Sequence, residues 1–575
     1  RYKMSKSILK FLSLLVIVCL ILSVSACSSK DKDIDKDSKK STATQTTTQA
    51  TTQDDGENKY DPLGKYDETV EVTAVGILYP VEAPVPESTT PENQSFNKLA
   101  EQFLNIKIRY LWTVAPDQYS QKFNVSIASG DIPDLIYTTE PTQFQNLLES
   151  GLLADLTEAY NYLHPELKRM YEVDLPEVLN VAKYDGKLWA LPMAANRYEA
   201  AQKIYIRKDW LDNLNLKVPT TYQELADIAV AFAKQDPDGN NKNDTVGLAI
   251  HKDILWGGSC GSLPFFEMFH AYPGSWIKGE DGKLHDTITS PEMKNALAAL
   301  QDLYKRGAID REFATKDVNK VIEEISAGLI GIAYGEWWTP SWPFNILVEQ
   351  IPGADWVSIP NLSADDKPAT PAVKRVMHNG FNAVSSKCEH PEAAVKLINL
   401  FYDCWYNPNY LEIYGDLVKP ENGFFYNYVP QKLWDAMSSE KEFLRCNEAI
   451  KTRDPSKLPT RDLANYKKAI AYLDNGDLTG WGIYNCMMAD DGGYAYVVQM
   501  HKSNNVVFDE FYGVATPAMV EKGDTLSRLA TETFIRIIMG NPISEFDEFV
   551  KEYNEVGRLE IEKEVNDWYA QEQSK

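Results

Sequence analysis

Glu336-Trp337-Trp338, with Trp342 close behind, is the most informative local cluster of chemistry-bearing side chains. Indole rings stack on flat C–H faces such as those of sugar rings, and a neighbouring carboxylate accepts from hydroxyls. The cluster directly follows Leu329–Tyr334, an apolar run of strand length, so the rings either crown a strand or join the core. Tyr79 stands likewise after Thr69–Leu78, and Tyr137, Thr138 and Glu140 close or follow Asp134–Thr138. Arg197 and Tyr198 end the segment Ala194–Tyr198, and Trp256, Trp276 and Tyr512 occupy loop-like or strand-end positions. Counting does not decide which of the 13 Trp face a ligand.

A second pattern runs from Asp236 to Asp244. Oxygen donors fall at positions 1, 3, 5 and 9 (Asp236, Asp238, Asn240, Asp244), and Lys242 at position 7 offers its backbone carbonyl. That spacing opens an EF-hand-type loop and points to Ca2+ in a structural role. Two departures stand out: Asn241 fills position 6, where Gly is usual, and Gly247 fills position 12, where a bidentate Glu is usual. A solvated Asn/Asp/Gly turn is the plainer alternative. Gly257-Gly258-Ser259-Cys260-Gly261 has the G-x-S-x-G spacing of a nucleophile elbow. Leu263-Pro264-Phe265 follows where a helix should start, so a turn or a glycine-rich binding loop is expected instead. Asp490-Asp491-Gly492-Gly493 reads as a turn, not as a catalytic acid pair. No catalytic residue is assigned.

The elements that must position these groups alternate in type. Thr69–Leu78, Ile106–Trp112, Asp134–Thr138, Lys203–Arg207 and Leu329–Tyr334 read as strands. Gln94–Leu104, Gln143–Ser150, Thr221–Lys234, Pro291–Lys305, Pro391–Tyr402, Thr525–Ile538 and Glu545–Gln571 read as helices. Strands separated by amphipathic helices predict an α/β fold, its sheets rich in parallel pairs and covered by helices on both faces. No repeat of fixed period is present.

The 575 residues carry a formal net charge of −25, which argues against nucleic acid or anionic lipid as partners. Seven Cys, widely spaced and without a CxxC pair, form neither a disulfide framework nor a zinc pattern. Basic residues up to Lys10, an apolar run from Phe11 and Val24-Ser25-Ala26-Cys27 compose an export signal over residues 1–26. The Ser-Ala-Cys step resembles the lipobox of bacterial lipoproteins, which implies acylation (palmitate) of Cys27 and anchoring at the outer face of the cell membrane. Residues 27–60 then read as the anchor and a disordered tether, since Ser, Thr, Gln, Lys and Asp dominate them.

Further motifs follow in order. They are Ser129-Gly130-Asp131-Ile132-Pro133-Asp134-Leu135, Gly151-Leu152-Leu153-Ala154-Asp155-Leu156, Tyr184-Asp185-Gly186-Lys187-Leu188-Trp189-Ala190-Leu191-Pro192, Ile206-Arg207-Lys208-Asp209-Trp210-Leu211 and Gly328–Trp338. Gly380–Ser385 with His390-Pro391-Glu392-Ala393-Ala394 completes the set, which resembles the extracellular solute-binding proteins of carbohydrate ABC transporters. The resemblance implies two discontinuous α/β lobes of the periplasmic-binding-protein type (type II) with the ligand between them. Lobe 1 is expected over residues 61–200 and 375–430, lobe 2 over 201–374 and 431–575. It implies a monomer that hands an oligosaccharide to permease subunits. A secreted carbohydrate-active enzyme, or a binder of peptides or another solute, is the alternative. Alginate-binding members carry a similar calcium loop, with an acidic residue where this chain has Thr245.

Overall fold

The alternation of Val70, Val72 and Ala74, buried, with Glu71 and Thr73 makes Val70–Ile77 a one-sided strand. It pairs in parallel with Ile106–Val114, and on the solvent face Glu71 accepts from Lys107 at 3.1 Å and Arg109 at 3.0 Å. The computed structural model describes residues 60–81, 84–255, 257–258 and 260–574. The expected signal, the Cys27 anchor, nearly all of the tether and Trp256 lie outside the described residues.

A second small sheet joins the first lobe. His378–Val384 lies between Leu135–Thr138 and Ala190–Ala194, antiparallel to both. Asp134 couples the two sheets: its Oδ2 accepts from the Thr73 backbone N–H at 2.8 Å and the Thr73 hydroxyl at 2.7 Å. Buried Gln431 donates to the carbonyls of Ile136 and Ala383 at 2.7 and 2.6 Å, which fastens the later return of the chain to the same sheet. One apolar core collects Val70–Ala194 together with Val376–Ala436, so Leu433 and Ala436 pack beyond the expected return at residue 430.

The second lobe is built on four strands in the order Trp356–Ile359, Lys203–Arg207, Ile330–Gly335, Val246–Leu248. Its two central strands are buried along their whole length. Helix Tyr222–Lys234 covers one face, and Gly331 lets Phe232 and Trp210 close onto the sheet; a Cβ there would fall 2.3 Å from the Phe232 ring. Helix Pro291–Arg306 shows how local chemistry sets the ends: the Ser290 hydroxyl accepts from Met293 N–H, Pro291 starts the helix, and Gly307 at φ 85° stops it. Helices Ser438–Thr452, Thr460–Asn475 and Trp481–Met487 form a further small core around Cys446, Tyr466 and Ala469.

Parallel-rich sheets were expected, and here the structure differs. Among the described residues only three pairings are parallel: the first two strands, Val246–Leu248 with Ile330–Gly335, and Ala372–Lys374 with Val507–Asp509. The reason is the passage between lobes. Leu135–Thr138, Ala190–Ala194 and Ile330–Gly335 run toward it, whereas Lys203–Arg207 and His378–Val384 come from it, so neighbours oppose. Among the described residues no helix is long and apolar enough to cross a membrane.

Asp134→Ala removes an acceptor shared by two donors, and a backbone N–H is then left without its partner. The expected outcome is a loss of about 1–3 kcal/mol in urea unfolding with the slope of the transition unchanged.

Candidate functional site

Two residues beyond the strand Ile330–Gly335, Trp337 lines a cavity of about 830 Å³. Gly493 makes that placement possible, because a Cβ at residue 493 would fall 2.2 Å from the Trp337 carbonyl oxygen. Tyr494 then packs on the indole at 4.6 Å. The passage Ala194–Glu199 forms the floor, contributing Asn196 and Glu199. The first lobe supplies Trp405, Tyr406 and Tyr410 from helix Pro391–Tyr406 and the turn after it, and Trp434 from the returning segment. The helical layer closes the far side with Arg445, Arg461 and Asp462.

Trp405 and Trp434 meet edge to face at 5.0 Å. The Arg461 guanidinium lies 3.6 Å from the centre of the Trp405 ring and 6.0 Å from that of Tyr410. Among the described residues its N–H groups make no hydrogen bond. Burial lowers the pKa of Arg461. Asp462 is held by Arg445 at 2.8 Å, and Asp435 by Lys441 at 2.7 Å. Burial pushes the Glu199 carboxyl up to about 7, Glu440 nearby adds to it, and Ser439 and the Trp337 indole hold it down in part. Aromatic faces framed by a guanidinium and carboxyl groups suit a polyhydroxylated ligand.

Of the residues singled out from sequence, Trp337 lines this cavity, while Tyr79 and Tyr137 line a smaller chamber beside it. The others stand elsewhere. Trp338 and Trp342 stack on each other at 6.1 Å away from the cavity, and Trp342 is exposed. Glu336 turns inward: burial pushes its carboxyl up to about 7, and its Oε2 has no partner among the described residues. Arg197 is buried on Glu177 at 3.2 Å, and Tyr198 stacks on His501 at 4.9 Å. Tyr512 packs against Trp568, and Glu140 borders a shallow groove with Asn124 and Asn146. Trp405, Tyr410, Trp434, Arg445 and Arg461 were missed. For Trp405, Tyr410 and Trp434 the one signal was the run of eleven aromatic residues from Phe401 to Trp434, and Arg445 and Arg461 had none.

The loop of Asp236, Asp238, Asn240, Lys242 and Asp244 is folded as a tight turn. Asp236 Oδ1 accepts from Asn240 N–H at 3.1 Å and its Oδ2 from Asn241 N–H at 3.0 Å. The Asn240 side-chain amide donates to Asp238 at 2.7 Å and to Asp244 at 3.2 Å, so it bridges the two carboxylates. Among the described residues no group of three or more His, Cys, Asp or Glu side chains is gathered closely enough to hold a metal ion, and the loop's donors also include the Asn240 amide oxygen and the Lys242 carbonyl. Both sequence departures have local causes. Asn241 adopts φ 60°, the left-handed conformation that Gly usually provides, and Gly247 packs so closely that a Cβ would meet the Ala229 carbonyl oxygen at 1.9 Å.

Residues 87–403 match the family described as Bacterial extracellular solute-binding protein. The chain belongs to that family. As a solute-binding protein it is 25% identical over 536 residues to the polygalacturonan/rhamnogalacturonan-binding protein YtcQ of Bacillus subtilis (strain 168), covering 90% of this chain and 94% of the relative. Its fold is that of an HMO-binding solute-binding protein from Bifidobacterium longum infantis, at a TM-score of 0.61 and 18% identity over 87% of this chain and 98% of the other. It is also that of the EF-hand mutant of the S. pneumoniae protein FusA in complex with fructo-nystose, at 0.53 and 17% over 88% and 99%. The family and these neighbours are binding proteins, with two lobes.

The raised Glu199 carboxyl has a stability consequence. A carboxyl whose pKa is raised on folding favours the native state below its unfolded value near 4.5 and loses that contribution as pH rises to 7. Glu199→Gln mimics the protonated form. It should stabilise the ligand-free protein at pH 8 by about 1–3 kcal/mol and leave it nearly unchanged at pH 4.5, read from thermal melts at both values.

Proposed function

We propose that this solute-binding protein captures an oligosaccharide in the 830 Å³ cavity and delivers it to the permease subunits of an ABC transporter. The observation that carries the reading is the convergence of Trp337, from one lobe, with Trp405, Tyr410 and Trp434, from the other, around Arg461 and Glu199. Half-exposed rings offer stacking faces, and the charged groups beside them offer donors and acceptors for hydroxyls. The relatives named for carbohydrates support the class of ligand. In this reading Cys27 carries the lipid anchor, residues 28–60 tether the body outside the membrane, and the protein works as a monomer. Its lobes divide near residues 200 and 375 and again after 436, where the first core ends.

Isothermal calorimetry against a panel of oligosaccharides tests the reading. With a bound sugar in hand, Trp337→Ala and Trp434→Ala should each weaken binding at least about tenfold, the usual cost of a central stacked indole. Trp342→Ala, outside the cavity, should bind like the parent protein. Equal binding by all three variants would remove the sugar from this cavity.

The loop is proposed to take Ca2+ as a structural ion. Its donors are hard oxygens: carboxylates of Asp236, Asp238 and Asp244, the Asn240 amide oxygen and the Lys242 carbonyl. Burial, with Asp236 and Asp244 nearby, raises the Asp238 carboxyl, a cost that a cation relieves. The EF-hand of the structurally similar FusA protein supports it. Calcium should raise the melting temperature, and the double substitution Asp236→Ala, Asp238→Ala should abolish the rise. Identical melts in calcium and in chelator would refute the site.

A further inference from the structure

A chamber of about 210 Å³ opens at the carboxyl ends of strands Val70–Ile77 and Leu135–Thr138. Trp434 lines both this chamber and the main cavity, and the adjacent residues Met193 and Ala194 line one each, so the chamber is a side pocket of the same cleft. Its walls are phenols: Tyr79, Tyr119, Tyr137 and Tyr428. Three of their hydroxyls are committed to backbone carbonyls, Tyr119 to Tyr137 at 2.8 Å, Tyr137 to Asn379 at 2.9 Å and Tyr428 to Tyr79 at 2.7 Å.

Among the described residues Lys432 is the one charged residue that lines the chamber. Its backbone is fixed on both sides: Asn382 Oδ1 accepts from the Lys432 N–H at 3.3 Å, and the Asn382 amide donates to the Lys432 carbonyl at 3.0 Å. The ammonium lies 6.0 Å from the centre of the Tyr137 ring. Among the described residues it makes no hydrogen bond and no ion pair, and no Asp or Glu lines the chamber. By contrast Lys441 meets Asp435, and Lys316 meets Glu324 at 2.6 Å. A desolvated ammonium without a counter-charge is costly, and burial accordingly lowers its pKa to about 8. An anion entering the chamber offsets that cost, whereas a neutral hydroxyl does so only in part.

We propose that Lys432 reads the carboxylate of a uronic-acid residue, so that the ligand of this cleft is an acidic oligosaccharide. The sugar carboxylate accepts from the Lys432 ammonium inside the chamber, while the flanking sugars lie in the main cavity against Trp434. This inference rests on the cleft being an oligosaccharide site, and the test separates the two.

Calorimetry is run at pH 7 on the intact protein, with Lys432→Met and Lys432→Arg as variants. The probes are galacturonic-acid oligomers of two to four residues and neutral galactose oligomers of the same lengths. The expected result is binding of the uronide at least about tenfold tighter than the neutral sugar, lost in Lys432→Met and largely kept in Lys432→Arg. Thermal melts of each variant establish folding, and Lys432→Met should melt no lower than the parent because it deletes an uncompensated buried charge. Equal uronide affinity in parent and Lys432→Met would overturn the role of Lys432 and leave the sugar cleft standing. Tighter binding of the neutral oligomer would do the same. Binding of neither class would overturn the acidic-sugar inference and the oligosaccharide reading together.

Discussion

The structure depends on two arginines that share one ring where the chain passes between lobes. Arg375 grips Glu510, with Nε donating at 2.9 Å, and its guanidinium lies 3.7 Å from the centre of the Phe508 ring. Arg197 approaches the same ring at 5.9 Å and pairs with Glu177. These contacts knit three separate stretches of chain, near residues 197, 375 and 508, and the pairing of Ala372–Lys374 with Val507–Asp509 lies beside them. Breaking one partner of such a group strands a charge, so the passage is held in register even though it belongs to neither apolar core. Two groups that face the cavity are aimed from this frame. Asn196 and Glu199 flank Arg197 by one and two residues.

The frame also explains why neighbouring aromatics have different fates. After Gly335 the chain turns so tightly that a Cβ at that position would meet Thr339 at 2.3 Å. Successive side chains across the turn therefore diverge. Trp337 goes to the cavity and packs on Tyr494, Trp338 goes outward onto Trp342, and Glu336 goes into the lobe. A motif read as one unit is divided by its own backbone.

Much of the first lobe was legible because its signals are local. The strand at Thr69–Leu78 alternates, the Asp134 motif leads into a strand, and a helix starts at Pro391. The helix was expected to stop at Tyr402, but it runs to Tyr406 and so delivers Trp405 and Tyr406 to the cavity. Nothing in the spacing of Arg445, Arg461 and Trp434 predicts their meeting, since each comes from a different element and only tertiary packing joins them. Lys432 is less legible still. Between Gln431, which is spent on two carbonyls, and Leu433, which is spent on the core, a single lysine carries no period and no motif. Strand direction was misjudged for a related reason: alternating strands and helices signal parallel pairing only while the chain stays in one lobe.

The overall charge of −25 bears on how the cleft works. Diffuse negative charge repels an anion at long range, but at physiological salt that field is screened within about 8–10 Å. Inside the cleft, cations and carboxyl groups stand side by side, Glu442 and Asp462 close to Arg461. Arg461 over Trp405 and Lys432 over Tyr137 are cations in poorly solvated surroundings, where each interaction is stronger than in water. Asp462 and Asp435 do not cancel them, because Arg445 and Lys441 already engage those carboxylates. A body that is acidic outside can thus hold its uncommitted positive charge where solute enters. For an anionic solute, repulsion would act on the rate of approach, which salt restores, and the buried cations on the rate of escape, which salt barely touches.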